Sequence, residues 1–124
     1  MGMRVLVIED NPTNLELMRY LLHAFGHVTI TAVDGASGVA TALAAPPDLV
    51  LCDLALPDFD GFEVLRRLRA ATTMNAVPVI AVTASAMVGD RDKVIATGFS
   101  GYISKPITPE TFVAEVESYL RREA

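Results

Sequence analysis

The chain has 124 residues, 52% of them hydrophobic, and 10 Lys plus Arg against 15 Asp plus Glu give it a net charge of −5. This is the composition of one globular domain, and it excludes a disordered chain and, by its sign, a nucleic-acid surface of its own. The single Cys52 and two histidines exclude an internal disulfide and a plausible zinc site, so a reducing, cytoplasmic setting is expected.

Short apolar runs alternate with amphipathic stretches along the chain. Val5-Leu6-Val7-Ile8 is a continuous apolar run, as are Leu49-Val50-Leu51-Cys52 and Val79-Ile80-Ala81-Val82. Runs without alternation suit strands covered on both faces, as in a parallel sheet. Val28 to Val33 reads as another strand, and Gly101-Tyr102-Ile103-Ser104 as a short last one.

Helices fit between them. Asn11 is a good N-cap and Pro12 a good first residue, and Leu15, Met18, Leu22 and Phe25 then fall on one face, ended by Gly26. Ala36, Val39, Ala40 and Leu43 mark a second helix, stopped by Pro46-Pro47. Phe62, Leu65 and Leu68 mark a third, with Arg66, Arg67 and Arg69 facing out. A fourth runs from about Val88 to Ala96, closed by Gly98. The fifth starts near Thr108-Pro109-Glu110 and carries Phe112, Val116, Tyr119 and Leu120.

Five strands alternating with five helices predict an α/β fold with a five-stranded parallel sheet, doubly wound as (βα)5. The first ten residues hold too short an apolar run for a signal peptide. The stretch from Ala76 to Gly89 falls short of the roughly 20 residues that span a bilayer, so no membrane insertion is expected. No repeat or linker is visible, and residues 1–124 read as one domain without an output domain.

In such folds the functional crevice lies at the carboxyl ends of the strands. Glu9 and Asp10 follow the first strand, Asp53 the third, Thr83 the fourth and Lys105 the fifth. Three clustered carboxylates repel one another, and a hard divalent cation such as Mg²⁺, which prefers oxygen ligands, relieves this. Three carboxylates, one ammonium and one Mg²⁺ sum to zero charge, a balance suited to receiving a phosphoryl group. Asp53 is the best nucleophile, because a carboxylate can form an aspartyl-phosphate. Lys105, the Thr83 hydroxyl and nearby backbone N–H groups would neutralise phosphoryl oxygens, and the small Ala84 leaves room for them.

Glu9-Asp10-Asn11, Asp53 followed by Leu56-Pro57-Asp58-x-Asp60-Gly61, Thr83-Ala84 and Tyr102-x-x-Lys105-Pro106 together resemble a response-regulator receiver domain, with a flavodoxin-like, CheY-like fold. The match spans the whole chain in order. The stretch from Thr83 to Arg91 is most similar to stand-alone cell-division regulators of the DivK type and to the receivers of hybrid histidine kinases.

The resemblance implies that Asp53 is a phosphoacceptor served by a histidine kinase or histidine phosphotransfer protein. It implies Mg²⁺ held by Asp10, Glu9, Asp53 and the Ala55 carbonyl. Phosphate would be bound by Thr83, Ala84 and Lys105, with Thr83 and Tyr102 as the switch pair and the bond to Pro106 cis. It also implies an output face formed by the fourth helix, fifth strand and fifth helix, which meets a downstream protein partner. The chain would be a monomer or weak dimer that catalyses its own phosphorylation and turns over no small molecule. Ala55 and Ser85 stand where relatives tune dephosphorylation, and neither can orient an attacking water, so a lasting phosphate is expected.

A receiver excised from a hybrid histidine kinase, or a docking module that does not use phosphate, are the alternatives. A dehalogenase-like phosphatase would need a second Asp where Ala55 stands, and a flavodoxin-like cofactor binder would not place Glu9 and Asp10 in its phosphate loop. Asp58 and Asp60 read as turn residues with Gly61. His23 and His27 carry no catalytic expectation, Cys52 reads as a small buried hydrophobe, and Met18, Leu22 and Phe25 read as core.

Overall fold

The structure, a computed structural model, describes residues 2–84 and 90–121. The elements are β1 (Arg4–Ile8), α1 (Pro12–Ala24), β2 (Val28–Ala32), α2 (Gly35–Ala44), β3 (Leu49–Asp53), α3 (Gly61–Arg69), a single 3₁₀ turn (Thr72–Met74), β4 (Val79–Thr83), α4 (Asp90–Thr97), β5 (Gly101–Ser104) and α5 (Pro109–Arg121). The sheet order is β2-β1-β3-β4-β5, and every ladder is parallel. This is the doubly wound α/β fold expected from the apolar runs. No helix among the described residues is long and apolar enough to cross a membrane.

Successive residues of a strand point to opposite faces, and the central strands divide accordingly. Val5, Val7, Leu49, Leu51, Ile80 and Val82 pack with Met18, Leu21 and Leu22 of α1 and with Phe112, Val113, Val116 and Tyr119 of α5. Leu6, Ile8, Val50, Cys52, Val79 and Ala81 pack on the other side, with Val39 and Ala42 of α2, Val64, Leu65 and Leu68 of α3, and Val94 of α4. With both faces covered, β3 and β4 are buried at every position.

Local signals set the helix starts. The Asn11 side chain accepts the Asn14 N–H at 3.0 Å, Asp34 caps α2 through the Ser37 N–H, and Asp60 caps α3 through the Glu63 N–H. Gly26, just past α1, has φ +86°, which is the left-handed conformation that stops a helix.

Several faces differ from expectation. Phe25 is 64% exposed rather than core. It is the C-cap of α1, and its backbone leaves the helical path before the ring can join the Met18–Leu22 face, where Leu21 packs instead. The inner face of α2 is Gly35, Gly38, Val39 and Ala42, while Ala36, Ala40 and Leu43 point outward. Close approach to the sheet decides this, because a Cβ at Gly38 would stand 2.5 Å from Ile8 Cδ1. Arg69 does not face solvent like Arg66 and Arg67. Its Nη1 donates to the carbonyls of Met74 at 2.7 Å and Val77 at 2.9 Å, fastening α3 to the chain leading into β4. The expected start of the fourth helix at Val88 lies outside the described residues.

Candidate functional site

The carboxyl ends of β1, β3, β4 and β5 meet at one edge of the sheet. The register pairs Ile8 with Cys52, Asp53 with Val82 and Thr83 with Ser104, so the residues that end or follow these strands become neighbours. The Lys105 N–H donates to the Thr83 carbonyl at 2.8 Å and ties the end of β5 to β4.

Glu9, Asp10 and Asp53 each bring a carboxylate oxygen within 4.8 Å of the others. Glu9 and Asp53 are buried, whereas Asp10 is exposed. The Lys105 ammonium bridges the buried two, with Nζ 2.8 Å from Glu9 Oε1 and 3.0 Å from Asp53 Oδ2. The remaining oxygens take backbone donors. Asn11 N–H reaches Glu9 Oε2 at 3.1 Å, and Ala55 N–H reaches Asp53 Oδ1 at 3.0 Å.

The electrostatics follow from burial and charge count. Burial raises the Glu9 carboxyl above its ordinary value, against the opposing pull of Lys105, and neighbouring Asp53 raises it further. Burial works against the charge of Lys105, but Glu9 and Asp53 outweigh it and hold the ammonium above its ordinary value. Three carboxylates face one cation, an excess of negative charge at a crevice lined by oxygen donors. That donor set suits a hard divalent ion.

Thr83 is buried beside Asp53 at the end of β4, Ala84 is exposed just beyond it, and Tyr102 on β5 is half-buried. The Lys105–Pro106 peptide bond is cis, as the resemblance implied. Ser85, the other position tied to phosphate lifetime, lies outside the described residues. Glu9, Asp10, Asp53, Ala55, Ala84, Lys105 and Pro106 lie on the strand ends and following loops of this edge, whereas Tyr102 lies within β5, paired with Ala81.

Two residues have more to do than the sequence suggested. Asp58 is not only a turn residue, since its carboxylate reaches Gly35 and Ala36 at the start of α2. His27 is 5% exposed and accepts the Met3 N–H at Nδ1, while its Nε2 lies 2.8 Å from Glu117 Oε2. Their partners are 22 to 90 positions away, so no local pattern announces them.

Comparison with known proteins agrees with the geometry. The response regulator receiver domain pattern matches residues 5–117. The polar-differentiation response regulator DivK of Brucella anthropi is 40% identical over 116 residues, covering 94% of each chain. The receiver domain of the sensor histidine kinase PA1611 from Pseudomonas aeruginosa, solved with a magnesium ion coordinated in its active-site cleft, superposes with a TM-score of 0.84 at 34% identity, covering 98% of this chain and 97% of that one. The chemotaxis response regulator CheY4 of Vibrio cholerae shares the fold, with a TM-score of 0.90 at 24% identity over 96% of this chain and 99% of that one. With an acidic strand-end cluster beside a lysine and a matching pattern over most of its length, the chain belongs to the response regulator receiver domain family.

Proposed function

We propose that this protein is a phosphoacceptor switch of two-component signalling, in which Asp53 takes a phosphoryl group from a phosphohistidine on a kinase or phosphotransfer protein. The observation that carries this reading is the Asp53 carboxylate at the rigid end of a fully buried strand, 3.0 Å from the Lys105 ammonium and within 4.8 Å of two further carboxylates.

A carboxylate oxygen of Asp53 would attack phosphorus as the phosphorus–nitrogen bond breaks. The electron pair leaves with the imidazole nitrogen, and because the other ring nitrogen of the phosphohistidine carries a proton, the donor histidine departs as neutral imidazole. Lys105 would move with the charge, trading its contact with Asp53 for a phosphoryl oxygen. The Thr83 hydroxyl and the backbone at Ala84 would serve another oxygen. Glu9, Asp10, Asp53 and the Ala55 carbonyl are suited to hold Mg²⁺, which when bound supplies neutralisation of the phosphoryl charge. This agrees with the clustering of the three carboxylates' oxygens and with the magnesium in the related PA1611 receiver.

The output would follow from a population shift of the Thr83–Tyr102 pair, felt on the face of α4, β5 and α5 by a downstream protein partner in the cytoplasm. The chain would turn over no small molecule. The aspartyl-phosphate would be long-lived, because Ala55 offers no group to orient water.

The decisive test is intact mass after incubation with acetyl phosphate. One phosphoryl group is expected in the presence of Mg²⁺, and none without it or in Asp53→Asn. Absence of both phosphorylation and Mg²⁺ binding would favour a docking module that does not use phosphate.

A further inference from the structure

The loop between β3 and α3, residues 54–60, carries Ala55 and so borders the acidic site. Its base is closed by the Gly61 N–H, which donates to the Leu54 carbonyl at 3.0 Å. Its tip is tied elsewhere. Asp58 accepts the Gly35 N–H at Oδ1 and the Ala36 N–H at Oδ2, both at 2.8 Å. These donors belong to the first turn of α2, where N–H groups lack helical partners and negative charge is favoured.

The start of α2 therefore carries two carboxylates. Asp34 is its ordinary cap, taking the Ser37 N–H at 2.8 Å, and Asp58 arrives from the loop. What burial Asp58 has opposes its charge, but the Gly35 and Ala36 donors outweigh this and hold the carboxyl below its ordinary value. Phe59 adds a second anchor. Its ring lies against Gly35, where a Cβ would stand 2.5 Å from Phe59 Cε1, and the Arg67 guanidinium carbon is 4.0 Å from the ring centroid. Asp58 is not needed to start α3, because Asp60 already caps that helix.

We propose that Asp58 is a positioning residue for the acidic site: by fastening the loop tip to α2 it holds Ala55, and with it the Ala55 N–H···Asp53 Oδ1 bond of 3.0 Å, in place for a cation and a phosphoryl group. The inference rests on the reading of Asp53 as a phosphoacceptor assisted by a divalent cation.

The test compares wild type with Asp58→Ala, Asp58→Asn and Asp34→Ala. Amide hydrogen exchange of residues 54–60 is measured on the metal-free protein. The dependence of acetyl-phosphate phosphorylation on Mg²⁺ concentration is measured in parallel. In Asp58→Ala, loop exchange quickens and half-saturating Mg²⁺ rises about tenfold, the usual scale for an outer-sphere support, while the plateau rate stays near wild type. Asp58→Asn keeps one accepting oxygen and falls between the two. Asp34→Ala removes the native cap of α2 and leaves the Mg²⁺ dependence unchanged. Wild-type loop exchange and half-saturation in Asp58→Ala would overturn the proposal, and so would an equal shift in Asp34→Ala. If wild type itself takes neither Mg²⁺ nor phosphate, the phosphoacceptor reading fails, and loop exchange in metal-free Asp58→Ala still decides whether the anchor exists.

Discussion

Gly61 stands directly behind the carbonyl of Asp53: a Cβ at position 61 would lie 2.7 Å from the Asp53 carbonyl oxygen and 2.9 Å from Leu54 Cα. The first residue of α3 thus packs against the backbone of the candidate phosphoacceptor. Backbone atoms at the end of a buried strand cannot rotate away as a side chain can. Gly61→Ala is expected to cost about 1–3 kcal/mol, the scale of overpacking, and to slow phosphorylation by displacing Asp53. A urea melt together with the acetyl-phosphate rate checks both, and an unchanged rate would mean that the strain is absorbed on the α3 side.

Asp10 is the exposed member of the carboxylate cluster, and the single ammonium bridges the other two. In the metal-free protein its charge adds repulsion. Asp10→Asn is expected to raise the metal-free Tm by about 2–4 °C, corresponding to at most about 1 kcal/mol. The same variant should lose most of the further rise that Mg²⁺ gives wild type. Thermal melts with and without Mg²⁺ decide it, and a lower metal-free Tm would show that Asp10 supports the fold rather than straining it.

His27 joins the approach to β1 with α5 through the Met3 N–H and Glu117. Its ring is almost fully enclosed, so truncation leaves a void as well as a lost acceptor. His27→Ala is expected to cost about 2–3 kcal/mol in a urea melt. Phosphorylation of Asp53 should be unaffected in the folded fraction, since the pair lies away from the acidic edge.

Glu63 on α3 pairs with Arg66 and Arg67, which hold its carboxyl down at about 2. A depressed carboxyl stabilises the fold above its ordinary value of 4.5, and the contribution is lost as pH falls from there toward about 2. The pairs are solvent-exposed and screened by salt, so the effect is small. Wild type is expected to melt slightly above Glu63→Gln at pH 6, with the gap narrowing by pH 3 and closing in high salt. A gap independent of pH would assign the difference to packing of the Glu63 stem.

The sequence made the acidic edge legible because its residues follow uninterrupted apolar runs. Such runs announce buried parallel strands, and their ends share one edge by topology alone. Glu9, Asp10, Asp53 and Lys105 could be brought together on that ground. What escaped depends on contacts that periodicity does not encode. The inner face of α2 is set by how closely Gly38 approaches Ile8, so Leu43, one of the apolar residues that mark this helix in the sequence, points outward. Phe25 follows the spacing of its helix but sits where the helix has already ended. Arg69 shares a charge run with Arg66 and Arg67, yet the carbonyls of Met74 and Val77 turn it inward. Asp58 and His27 carry their significance in partners far along the chain.

Cys52 is the only cysteine in the chain; it is fully enclosed, and its Sγ lies 3.3 Å from the Asp53 carbonyl oxygen. Burial, reinforced by the charges of Asp53 and Glu9, pushes its thiol well above the ordinary range. In the closed fold it is therefore inert to maleimides and other alkylating reagents, which require an accessible thiolate. Alkylation proceeds only through molecules whose central sheet has opened, so its rate is a chemical clock for that opening. The clock sits one residue from Asp53. Any ligand that binds the acidic edge and stabilises the closed state must slow it, and occupancy of the site becomes readable as a mass shift that fails to appear.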